Sequence, residues 1–123
     1  MRIGEVTADK EALVKLTILG PNGQQQEVIA VLDTGYTEYL TLPPSTITTL
    51  GLAYQYSVPM YLADGNPLSV RVFDGNVQWL GQDRNIPVLE TDGDVLLGMS
   101  LLYGSRLLVD VLDGGDVTVN DIP

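Results

Sequence analysis

The chain has 123 residues, 45% of them hydrophobic, and carries sixteen Asp and Glu against six Lys and Arg for a formal net charge of −10. That length suits one domain over residues 1–123, with enough apolar content for a packed core. With no histidine and no cysteine, Ser-His-Asp and Cys-His devices, disulfides and thiolate metal sites are excluded, and carboxylates are the catalytic groups that remain. No metal and no cofactor is therefore expected. The negative charge repels phosphate backbones and anionic lipid, so neither a nucleic-acid nor a membrane partner is expected. There is no run of eighteen apolar residues, and Met1-Arg2-Ile3-Gly4-Glu5 lacks the basic and apolar regions of a signal peptide, which predicts a cytoplasmic location.

Taken in order, Ala12–Leu19 and 26–32 are β-rich runs joined by Gly20-Pro21-Asn22-Gly23, a hairpin signal. The second run, Val28-Ile29-Ala30-Val31-Leu32, is continuously apolar and reads as a strand buried on both faces. It stops abruptly at Asp33-Thr34-Gly35. A carboxylate delivered from such a strand loses hydration, so it either caps the turn or does chemistry. Leu40-Thr41-Leu42 then forms a strand that Pro43-Pro44 ends, and Ser45 to Leu50 predicts one or two helical turns closed by Gly51.

Tyr54 to Ala63 and Leu68 to Leu80 form a long hairpin around Asp64-Gly65-Asn66. Ile86-Pro87-Val88-Leu89 is a short strand, followed by the acidic loop Glu90-Thr91-Asp92-Gly93-Asp94, which lacks the ligand spacing of a calcium loop. Val95 to Leu97 reads as buried strand, Met99 to Tyr103 as a short helix, and Leu107 to Leu112 with Val117 to Val119 as a closing hairpin. Many short strands, thirteen glycines, seven prolines and little helix add up to an all-β barrel or sandwich.

Asp-Thr-Gly alone is a weak motif, but here an apolar strand leads in, Leu40-Thr41-Leu42-Pro43 leads out, and Val95-Leu96-Leu97-Gly98-Met99 follows about sixty residues later. Together these resemble aspartic proteases of the retropepsin type, and more narrowly the small bacterial and archaeal retropepsin-like proteins with an aromatic after the triad, here Tyr36. The resemblance runs from roughly Lys15 to Val119. It implies a closed β-barrel of the acid-protease fold with one or two short helices, and an aspartic endopeptidase acting on a peptide or protein substrate.

Acid proteolysis needs two carboxylates sharing a proton, one activating water and the other donating to the substrate. This chain has one Asp-Thr-Gly, so the resemblance implies a homodimer in which Asp33 meets its copy on a two-fold axis. It makes Asp33 the catalytic residue, Thr34 and Gly35 the support of its loop, and Leu96, Leu97 and Gly98 the structural loop beneath. Tyr61, Asp64 and Gly65 belong to a flap, and Tyr36, Glu38 and Met99 are substrate-pocket candidates. Tyr36, Thr37 and Met99 stand where retroviral enzymes usually carry Ala, Asp and Arg, so both members of an ion pair are absent together and no buried charge is stranded. The alternative is a catalytically inactive dimerisation or peptide-binding module that keeps the turn for its hydrogen bonds.

Overall fold

The computed structural model describes residues Met1–Pro123. Three strands, β1 (Arg2–Val6), β2 (Ala12–Leu19) and β3 (Gln25–Leu32), form an antiparallel meander. After β4 (Leu40–Leu42) and the helix α1 (Pro44–Leu50) comes the long hairpin of β5 (Ala53–Tyr61) and β6 (Pro67–Trp79). The chain ends with β7 (Gln82–Glu90), β8 (Leu96–Leu97), the short helix α2 (Met99–Leu102), β9 (Ser105–Val109) and β10 (Asp116–Asp121). No helix is long and apolar enough to cross a membrane.

Strands are hydrogen-bonded in the order β5-β6-β7-β4-β8-β3-β2-β1-β10-β9. Ile18 and Leu19 of β2 also pair with Val77 and Asn76 of β6. That extra pairing closes β6, β7, β4, β8, β3 and β2 into a barrel, the all-β architecture expected. Alternate residues of β2 and β3 face the interior, where Val14, Leu16, Ile18, Val28 and Ala30 pack with Leu40, Leu42, Val77, Val88 and Leu97. Pro44 opens α1 at a position where its missing N–H costs nothing, and Gly51 closes it in the left-handed region at φ 64°.

Four expectations need correction. β3 is buried on one face only: Ile29 is 59% exposed, because a barrel strand presents its alternate side chains outward. β7 begins at Gln82, well before Ile86. Its polar start, Gln82-Asp83-Arg84-Asn85, hid it, and the turn is a two-residue one in which Leu80 and Gly81 both take positive φ, 51° and 82°. β1 was not foreseen as a strand; it is held between β2 and β10. The closing hairpin is shifted, with β9 starting at Ser105 and β10 reaching Asp121.

Candidate active site

β3 pairs in parallel with β8, Val31 with Leu96 and Leu32 with Leu97, and the Asp33 N–H extends that ladder by donating to Leu97 O at 2.9 Å. The next three residues form a tight turn. Asp33 Oδ1 accepts the Gly35 N–H at 2.9 Å, and Asp33 O accepts the Tyr36 N–H at 3.1 Å. Such a side-chain-to-backbone bond is what Asp contributes to turns. Thr34 and Gly35 are exposed and Asp33 is partly so, leaving the carboxylate at the surface with one oxygen engaged.

Behind the turn, residues 36–39 are laced to the start of α2. Met99 N–H donates to Tyr36 O at 2.8 Å, Gly98 N–H to Tyr39 O at 3.0 Å and Ser100 N–H to Glu38 O at 3.2 Å. The Ser100 hydroxyl donates to Thr37 O. Gly98 is required by space: a Cβ there would lie 2.1 Å from Glu38 O and 2.7 Å from Tyr36 Cδ2. A second brace joins β4 to β8, where the buried Thr41 hydroxyl donates to Asp94 O at 3.0 Å and accepts the Leu96 N–H at 2.8 Å.

The β5–β6 hairpin stands beyond the barrel. Its tip is a turn in which Gly65, at φ 84°, donates to Leu62 O, while the Asp64 carboxylate accepts both the N–H and the Nδ2–H of Asn66 at 2.9 Å. Between hairpin and barrel lies a cleft of about 470 Å³, walled by Tyr36, Thr41 and Leu96 on the barrel side and by Met60, Tyr61 and Leu68 on the hairpin side. In it Arg71 makes a two-pronged ion pair with Glu90, Nε and Nη2 at 3.0 and 2.8 Å from Oε1 and Nη2 at 2.7 Å from Oε2. The Glu90 side chain is only 17% exposed, and the guanidinium lies 5.5 Å from the Phe73 ring centroid.

The Tyr36 hydroxyl is buried without a hydrogen-bond partner. Burial first, and the Glu38 charge second, push its pKa up to about 12. It is thus a neutral donor at any ordinary pH.

Tyr36, a pocket candidate, and Tyr61, a flap candidate, both line the cleft. Glu38 instead lines a separate hollow of about 430 Å³ with Tyr56, Val58 and Pro87, which Tyr61 also borders. Met99 borders neither hollow, and Asp33 sits beside the cleft, three residues before Tyr36, outside its wall. A larger hollow of about 580 Å³ lies apart, between the chain ends and Trp79, Arg84 and Tyr103. Thr41, Arg71, Glu90 and Ser100 were missed. A hydroxyl inside the apolar Leu40-Thr41-Leu42 strand was the only signal; Arg71 and Glu90 depend on a pairing across the sheet, and Ser100 on the packing of α2 against residues 37 and 38. No group of three or more His, Cys, Asp or Glu side chains is placed to hold a metal ion.

No protein-family model matches the sequence, and no curated protein matches it significantly. Solved structures do. EIAV protease complexed with the inhibitor HBY-793 superposes with a TM-score of 0.61 at 17% identity, over 77% of this chain and 88% of that one. A retropepsin-like aspartic protease from Rickettsia conorii superposes with a TM-score of 0.56 at 16% identity, over 100% of this chain and 91% of that one. The closed barrel, the turn at the end of β3 and the hairpin over the cleft are, together with these likenesses, those of a chain with the retropepsin-like aspartic protease fold.

Proposed function

We propose that the protein is an aspartic endopeptidase that works as a homodimer, with one Asp33 from each chain forming the catalytic pair. The observation that carries this reading is the Asp33-Thr34-Gly35 turn itself. It is braced from behind by Leu97, Gly98 and Ser100 and leaves its carboxylate at the surface of a retropepsin-like fold.

The two carboxylates face each other and share one proton, because like charges at that distance do not both ionise easily. One takes a proton from the attacking water, which is the nucleophile. The other gives its proton to the carbonyl oxygen, and collapse of the tetrahedral intermediate passes a proton to the leaving nitrogen. The Thr34 hydroxyls bond across the axis and hold the loops. Substrate lies extended between barrel and hairpin, its main chain paired with the strand edges and its side chains in the apolar cleft.

The test is a paired digestion of an unfolded protein by wild type and Asp33→Asn at high concentration, from acidic to neutral pH, with fragments read by mass spectrometry. Asn keeps an acceptor for the Gly35 N–H, so the fold is retained while cleavage falls by roughly a thousandfold or more. Equal cutting by both proteins would remove Asp33 from the chemistry. If neither cuts while both fold and dimerise, a peptide-binding role for the turn takes its place.

A further inference from the structure

Both hollows beside the hairpin lie on one of its faces. Tyr56, Val58 and Met60 alternate along β5, and the residues opposite them on β6 are Val72, Val70 and Leu68, so these side chains project to the same side. The cleft takes the Met60 and Leu68 end of that face and the hollow of about 430 Å³ takes the Tyr56 and Val72 end. Met60, Tyr61 and Leu89 border both.

The second hollow has the make-up of a site for a long cationic side chain. Tyr56, Val58, Pro59 and Pro87 give it apolar walls, and Glu38 is its only charged residue. Tyr56 is 52% and Tyr61 73% exposed, aromatic surface that the fold itself leaves uncovered. The Glu38 side chain is exposed and enters no salt bridge. Its anchoring comes from the main chain, whose carbonyl accepts the Ser100 N–H at 3.2 Å. Its charge also reaches the neighbouring cleft, where it is the second cause, after burial, that raises the Tyr36 phenol. Of the six Lys and Arg in the chain, Arg71 alone borders either hollow, and Glu90 holds it. Asp92 on the cleft wall has no cationic partner either.

We propose that this hollow selects a Lys or Arg side chain of the substrate, and that Glu38 is the residue that reads it. This rests on the endopeptidase reading above and names its substrate class, a peptide with a basic residue at one fixed place beside the cleavage site. The peptide runs under the hairpin face from cleft to hollow. The aliphatic stem of the basic residue lies along Tyr56, Val58 and Pro87, while its charged end meets the Glu38 carboxylate. The ring faces of Tyr56 and Tyr61 favour a cation over a neutral tip. A chain of net charge −10 steers basic peptides toward the site, and an acidic residue at that place is rejected because it meets like charge.

Digestion of a fully randomised synthetic peptide library, read by mass spectrometry, tests this with wild type, Glu38→Gln and Glu38→Lys, each checked for folding by circular dichroism. Wild type is expected to favour Lys and Arg at one position relative to the cut by about tenfold or more over a neutral residue of similar length. Glu38→Gln loses that preference, and Glu38→Lys turns it toward Asp and Glu. Capture of the same library on immobilised Asp33→Asn, with and without Glu38→Gln, makes the comparison without cleavage. Cleavage through Asp33 with no basic preference, or with one that Glu38→Gln leaves in place, overturns the subsite and leaves the endopeptidase reading standing. Capture of Lys and Arg peptides that depends on Glu38, with no cutting by wild type, overturns the endopeptidase reading alone. Neither cutting nor selective capture overturns both.

Discussion

Between Asp33 and Tyr39 the backbone is held by a continuous set of hydrogen bonds to Leu97, Gly98, Met99 and Ser100, whereas between Ala53 and Arg71 no residue is buried. The same cleft thus has one wall fixed by the barrel and another supported by strand pairing alone. A carboxylate that must meet a partner within hydrogen-bonding distance needs the first kind of wall. A cover that admits a peptide needs the second, because few buried contacts mean a low cost of local opening.

The contrast can be broken from either side. The largest expected loss of stability comes from Gly98→Ala, since a Cβ 2.1 Å from Glu38 O must push residues 36–38 aside. Urea unfolding should show a loss of about 3 kcal/mol, and any surviving fold should have lost activity. Thr41→Val keeps the volume but orphans the Leu96 N–H and the Asp94 carbonyl, costing about 2 kcal/mol in the same assay. On the hairpin side, Arg71→Ala strands the nearly buried Glu90 carboxylate at about 1 kcal/mol, and its clearer readout is a change in KM as the cleft wall rearranges.

Tyr36→Phe is of similar size to Arg71→Ala and differs in sign. Deleting a buried hydroxyl that has no partner should stabilise the protein by about 1 kcal/mol in urea unfolding. There is also an alkaline signature. The folded phenol keeps its proton to about 12, against 10.0 for the unfolded chain. Between those values the unfolded state binds fewer protons, so wild-type stability falls as pH rises, with no contribution from Tyr36 below pH 10. Tyr36→Phe should lose that slope, as unfolding at pH 9 and pH 11 would reveal.

Local signals were legible where one residue decides the geometry. The Asn22-Gly23 and Asp64-Gly65 turns stand where turn chemistry placed them, and the helix expected over Ser45 to Leu50 is closed by Gly51 but begins one residue earlier, at Pro44. Gly98 was read as part of the loop beneath the triad, and its contacts show why a glycine stands there. What could not be read depends on neighbours distant in sequence. Gln82 to Asn85 form strand because they pair with Asn76 to Trp79, despite a composition that suggests loop. Arg71 and Glu90 were ordinary charges until Val72 paired with Leu89 and brought them side by side. Ile29 looked like core because periodicity reports apolarity, while the direction of a barrel strand decides which face is inside.

The central claim is that one catalytic site takes an Asp33 from each of two chains. It is tested most directly by holding wild-type protein constant and titrating in Asp33→Asn, with time for subunits to exchange, while following peptide cleavage. The account predicts that activity falls towards zero as mixed dimers replace wild-type pairs. Activity that stays at the wild-type value through a large excess of the variant would contradict it, since each chain would then be cutting on its own.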